Sequence, residues 1–549
     1  MDNLPLLSWI TLSPLLGILI LLFIPKDKGK WIKTIGMAAA FLPLLFTLIL
    51  WTSYAPEQAG FQYEEKRTWI EVPLNREAVP QIFIEGEMAN VSSFAYEFDY
   101  HLAVDGLSLP LVFLTALVSF MAAFAAMYIK KRWKSFYILF LLLQVGMFGV
   151  FLAKDLFLFF IFFEMAIIPT FFLIGIWGFM DREKAANKFL IYNGVGSAIL
   201  LIAILLLVNT AGFSVETLPK TGDEPLQAEM VYHADMSVIA SNLTNPDAYV
   251  NQDPESLSQN PFYMSESMKW TLFLLLLIGF GIKLPIFPFH TWMLKVHTEA
   301  PFAVVMIHSG ILLKMGAYGL MRFGYGFFPE QAQDAAMVIA ILGVINILYG
   351  ALLAMVQKEL RLVLAYSSIS HMGIVLLGLA AMNAAGYEGA VLQLISHGLI
   401  SALLFLIVGS FYQRTQTTEL SQLGGMAKSA PFMSGLLLLA GLASLGLPGL
   451  SGFVGELLAF IGLFGEMRVL AIIAALGIVL AAVYVLRAIM AITYGPTSSA
   501  TEGMKDARFA EALPMIILAG MIILIGIYPY WLIHVMEPAI QTMLSGIGG

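Results

Sequence analysis

The sequence predicts an all-α polytopic membrane protein of about fourteen transmembrane helices, the seventh and twelfth of them discontinuous. Three observations lead there. Of 549 residues, 59% are hydrophobic and 12% charged, where soluble domains carry roughly a quarter charged residues. Apolar runs of about twenty residues, enough to cross a hydrocarbon layer about 30 Å thick, recur between positions 6 and 533. Two of those runs hold helix-breaking prolines where a span should be most uniform.

The first run, 6–24, has neither a basic leader nor a small-residue cleavage site, so it reads as a retained helix. With the N-terminus outside, the basic loops at 26–33, 130–134, 181–188 and 357–361 all fall inside. About eighteen Lys and Arg then face inward against about eight opposite, as the positive-inside rule expects. Both termini are therefore expected on the outer side. Two polar insertions, 52–104 and 211–267, also fall outside. They are expected as solvated loops or small flaps, or alternatively as a docking surface for a neighbouring subunit.

The seventh span breaks at K-L-P (283–285) and the twelfth at G-L-P-G (446–449), five spans later, each after a long apolar lead-in. Matching interruptions in two halves mark repeat-built transporters, whose broken helices lie near a midplane ion site. The chain has no cysteine, which excludes disulfides, thiolate zinc sites and cysteine-ligated iron–sulfur clusters within it. No basic patch supports nucleic-acid binding.

Six ionisable residues fall at a similar depth on six spans. At 1.5 Å rise per residue, Lys283 lies about 20 Å from the outer face. Glu164 stands nine residues past Asp155, Lys314 thirteen past Pro301, His371 ten past Arg361, His397 nine past Glu388 and Glu456 ten before Glu466. Facing lipid at a helix centre, each would oppose insertion by about 2.5–3.5 kcal/mol, so all are expected to face the bundle interior. Lined up there, with hydroxyls and waters between, they form a candidate proton path. For the Glu164–Lys283 pair the plainer reading is a helix-holding ion pair, and for each histidine a satisfied core residue. Arg487 is expected to snorkel to headgroups. His290 and His297 are candidate proton inlets or incidental surface histidines, and His308 and Tyr192 candidate supporting groups. Four of these histidines also offer haem-ligand chemistry, but they lack the paired spacing on facing helices that a two-haem stack needs.

At these residues the chain resembles the antiporter-like subunits of respiratory complex I. The resemblance rests on V-D-G-L-S-L-P (104–110), F-F-E-M-A-I-I-P (162–169), K-L-P-I-F-P-F-H-T-W (283–292), H-T-E-A-P (297–301), L-L-K-M-G-A-Y-G (312–319), A-Y-S-S-I-S-H-M-G (365–373), S-H-G-L-I-S-A-L-L-F (396–405) and L-P-G-L-S-G-F-V-G-E (447–456). It implies three N-terminal helices within 1–134, two inverted five-helix repeats over 135–323 and 335–494, and a last helix in 495–549. It also implies proton half-channels in which Glu164, Lys283, Lys314, His371, His397 and Glu456 carry protons. Sibling subunits and multisubunit sodium/proton antiporters usually have lysine at the last position, so Glu456 points to one particular subunit type. The implied setting is a bacterial inner membrane, beside the other membrane-arm subunits and especially two sibling antiporter-like ones. No cofactor or metal is expected in this chain, with FMN, iron–sulfur clusters and quinone in other subunits. The alternative is a subunit of a multisubunit Na+/H+ antiporter or a membrane-bound hydrogenase, which shares the scaffold.

Overall fold

The computed structural model describes residues 5–58, 60–74, 81–84, 87–217, 226–252 and 262–545. Twelve helices among them are long and apolar enough to cross a membrane, from Leu6–Phe23 to Phe509–Ile527. Two further crossings are split, as the prolines and glycines predict. The seventh consists of Glu266–Lys283 and Thr291–Glu299, the twelfth of Pro431–Ser444 and Ser451–Glu466. A final amphipathic helix, Tyr530–Ser545, follows the last span. It lays Trp531 against Trp51 and Phe113, with ring centroids 5.0 and 6.2 Å apart.

The bundle is layered. In the most apolar windows of Phe302–Tyr325 and Ala384–Thr415 every residue is buried, whereas in Arg468–Thr493 only 33% are. The two enclosed helices carry Lys314 and His397, so those groups meet protein and not lipid. Glycines bring the helices together: a Cβ on Gly398 would stand 2.8 Å from the Gly310 carbonyl oxygen. Without an apolar driving force between helices inside a bilayer, such small-residue contacts set how closely backbones approach.

Each break leaves helix-end groups that only protein can satisfy at that depth. In the seventh span, Asn346 of the helix Ala336–Val356 accepts from the Phe287 amide at 2.8 Å and donates to the Pro285 carbonyl at 3.4 Å. The Trp292 indole donates to the Ile282 carbonyl at 3.0 Å. In the twelfth, the carbonyl of Ser444 is met by His371 Nε2 at 2.9 Å.

The insertions differ from the loops expected of them, because they build a sheet. The strands are β1 (Gln62–Leu74), β2 (Gln81–Ile84), β3 (Glu87–Val104), β4 (Phe213–Thr217) and β5 (Leu226–His233). Their order is β1-β3-β5-β4, with β2 also on β3. β1 and β3 pair antiparallel, while β3 and β5 pair parallel and so join the two insertions. The cause is in β3: Phe94, Tyr96, Phe98 and Tyr100 alternate with Ala95, Glu97, Asp99 and His101, and period two places aromatics on one face and polar groups on the other. The helical class holds for the membrane portion, with this sheet added at one end.

Candidate functional site

Five of the six predicted ionisable residues are enclosed. Lys314 is 0% exposed, Lys283 3%, His371 5%, His397 5% and Glu456 7%. Glu164 is only half-buried, on a helix whose Ile161 and Ile168 are exposed.

The structure connects four of them most closely. Lys314 sits just past a π-helical turn, His308–Leu312, which widens the helix ahead of it. Its ammonium donates to the Ser309 carbonyl and to His397 Nδ1, the latter at 2.7 Å. Because an ammonium can only donate, His397 carries its proton on Nε2 and gives it to the Ser368 hydroxyl at 3.1 Å. The same logic fixes His371. The Ser444 carbonyl only accepts, so Nε2 holds the proton and Nδ1 accepts from Ser367 at 3.3 Å, which in turn accepts from Tyr484 at 2.9 Å.

The imidazoles of His371 and His397 lie 5.4 Å apart, centre to centre. A cavity of about 10 Å³ between them is lined by Ser367, Ser368 and both histidines. A second, also about 10 Å³, lies between His371, Ser370 and Glu456. Each has room for about one water. Glu456 Oε1 is 3.6 Å from His371 Nε2. Lys314, His397, His371 and Glu456 thus form a run whose gaps are each one water or a small side-chain movement wide.

Lys283 and Glu164 stand apart from hydrogen-bonding partners. Lys283 ends the first half of the broken span, where the negative end of the helix dipole favours a cation. Its Nζ lies 4.3 Å from the centre of the Phe163 ring and, among the described residues, has no hydrogen-bond partner; neither does Glu164 Oε1. Among the described residues the pair makes no ion-pair contact within 4.0 Å, and Lys283 rests on the ring of Phe163, the neighbour of Glu164 in sequence.

Other residues fall differently from expectation. His290 and His297 are not surface groups; the short helix Thr291–Glu299 tucks into the bundle and leaves them 2% and 0% exposed. His290 pairs with the Tyr349 hydroxyl at 3.2 Å and His297 with His308 at 3.1 Å. Tyr192 accepts from Thr291 at 3.2 Å. Arg487 reaches the Gln357 carbonyl at 2.6 Å from an exposed position. Sequence reasoning passed over Arg322 and Asp105, which form a two-pronged ion pair at 2.7 and 2.8 Å. The signal was present, since an arginine inside an apolar span demands a partner.

The link of the twelfth span positions Glu456. Gly446 has φ +75°, and a Cβ there would stand 2.4 Å from Glu456 Oε2. Gly446→Ala is expected to strain the backbone by about 1–2 kcal/mol and to push the carboxylate away from His371. A lowered melting temperature together with slowed proton translocation is the expected result, and wild-type values for both would overturn this placement of Glu456.

Residues 153–483 match the family described as NADH:quinone oxidoreductase/Mrp antiporter, transmembrane. This chain belongs to that family. It is 37% identical over 535 residues to NAD(P)H-quinone oxidoreductase chain 4 2 of Thermosynechococcus vestitus, covering 96% of this chain and 89% of that one. It is 34% identical to the chloroplastic chain 4 of Chlorokybus atmophyticus, covering 99% and 97%. Among solved structures it resembles a chain of respiratory complex I from Thermus thermophilus with bound NADH, with TM-score 0.79, 27% identity and coverage of 99% and 100%. A chain of the Mrp complex from Dietzia shares the fold alone, with TM-score 0.76 at 19% identity. Within the family fold, all six candidate residues except Glu164 fall in the enclosed interior of the bundle.

Proposed function

We propose that this chain is a proton-translocating membrane-arm subunit of NADH:quinone oxidoreductase, of the kind called chain M or chain 4. It is a non-redox part of the enzyme, lying in a bacterial inner membrane with both termini outward and with sibling antiporter-like subunits beside it. The observation that carries the reading is the buried run Lys314–His397–His371–Glu456, set beside two broken helices and joined by hydroxyls and water-sized cavities.

Quinone reduction elsewhere in the enzyme perturbs the half-exposed Glu164. Glu164 moves toward or away from Lys283, Lys283 passes a proton toward Lys314, and the run carries it by way of His397 and His371 to Glu456. The magnitudes are adequate. Closing two unit charges to 4 Å is worth about 4 kcal/mol at an effective dielectric of about 20, and moving one charge across 100 mV needs about 2.3 kcal/mol. The chain 4 relatives share a third or more of their residues with this chain, whereas the Mrp complex chain shares 19%, and this favours the oxidoreductase reading.

Glu164→Gln and Lys283→Met are each expected to leave NADH oxidation by an artificial acceptor intact and to lower the protons moved per NADH in sealed vesicles several-fold. Unchanged stoichiometry in both variants would remove the Glu164–Lys283 step.

A further inference from the structure

Lys154 lies outside the row and is used by none of these steps. It sits in an extended link, 153–155, between the helices Trp133–Leu152 and Leu156–Trp177. The link is stitched to both insertions: the Lys154 amide donates to the His101 carbonyl at 2.8 Å and its carbonyl accepts from Met236 at 2.9 Å. Extended backbone turns successive side chains to opposite sides. Asp155 faces the sheet, where it accepts from the Asp99 amide at 3.2 Å. Lys154 points the other way, onto the helix Phe302–Tyr325.

There it is 0% exposed. Among the described residues the one hydrogen-bond partner of its ammonium is the Tyr318 hydroxyl, at 3.4 Å. Phe61, just ahead of β1, covers it with a ring centre 4.4 Å from Nζ and covers Arg322 at 5.6 Å. The carboxylate in ion-pair contact at this place, Asp105, is taken up by Arg322. A lysine retained to balance charge would sit on a carboxylate; this one sits on a hydroxyl. Burial first, and then the Arg322 charge, push its ammonium down to about 7, against the pull of Asp105 and Glu64. Tyr318 is one helical turn beyond Lys314, on the same helix face.

We propose that Lys154 is the proton-exchange group at the sheet-covered face of this chain, linked through Tyr318 to Lys314. The Tyr318 hydroxyl donates to the Phe151 carbonyl at 3.1 Å; on turning from that carbonyl it gives its proton to neutral Lys154 and is reprotonated from the Lys314 side. The resulting ammonium releases its proton to water near Glu64, which is exposed on β1. This rests on the proton-translocating reading above and adds to it a route that bypasses Glu456.

The test uses the assembled complex in proteoliposomes. Lys154→Arg keeps the charge but holds a proton that arginine does not release, so protons moved per NADH are expected to fall about fivefold or more, as with Lys154→Met. Tyr318→Phe, which removes only the hydroxyl, is expected to lower pumping likewise. Full pumping by Lys154→Arg would make Lys154 a charge-balancing group and overturn the proposal. If the arginine variant does not assemble, Tyr318→Phe decides, and unaltered pumping there overturns it equally. Lys314→Met separates the levels: pumping that survives it removes the underlying reading, whereas a silent Lys314→Met beside a fully active Lys154→Arg removes this proposal alone.

Discussion

Lys314→Met is expected to abolish proton translocation, by tenfold or more, while leaving the melting temperature unchanged or raised. The two halves of that result come from one geometry. Lys314 is fully enclosed, and its ammonium meets a carbonyl and an imidazole, with no carboxylate partner among the described residues. Holding a cation at such a depth opposes folding, by about 2.5–3.5 kcal/mol on insertion scales. Methionine fills nearly the same space without that penalty. A group kept for stability would lower the melting temperature when replaced, and a group kept for proton transfer does the reverse. The measurement pairs pH-dye traces in proteoliposomes, driven by NADH and quinone, with thermal unfolding of the purified complex. Pumping that persists would disconnect Lys314 from the path; a large drop in melting temperature would make it structural.

Arg322→Leu is expected to be the most destabilising single change, by about 3–5 kcal/mol, because it leaves Asp105 charged and unpaired in an enclosed site. Among the described residues the Asp105 carboxylate then keeps Ser108, whose amide and hydroxyl both lie 2.9 Å from Oδ1. Adding Asp105→Asn to Arg322→Leu is expected to restore much of the loss, since a pair removed together strands no charge. The readouts are melting temperature and the amount of assembled complex. A single variant as stable as the unaltered protein would show that water reaches Asp105.

The membrane portion was largely legible in the sequence. Span length follows from the thickness of hydrocarbon, so apolar runs located the crossings. The breaks at Pro285 and at Gly446 and Pro448 were legible because there proline stands beside a mid-span lysine or between glycines, whereas the lone prolines at 14, 43 and 169 lie within continuous helices. The six candidate residues stood out because charge within an apolar run is costly, and five proved enclosed. The sheet was not read, although Phe94, Tyr96, Phe98 and Tyr100 alternate plainly in β3. Its partner β5 lies more than a hundred residues later, and a parallel pairing between two insertions leaves no local mark. Asp105 and Arg322, 217 residues apart, went unread for the same reason.

By itself the sequence determined that this chain is a bundle of membrane-crossing helices, interrupted twice, with ionisable groups that must avoid lipid. Those properties follow from the transfer free energy of each residue and the conformational limits of proline and glycine, which act locally. Only the tertiary structure decided which buried groups touch: that Lys314 meets His397, that His371 caps the broken twelfth span beside Glu456, that Lys283 rests on Phe163 and not on Glu164, and that Lys154 lies under the sheet against Tyr318. Hydrogen bonding and Coulomb attraction fall away over a few ångströms, so their partners are chosen by how helices pack in three dimensions, which position along the chain does not reveal.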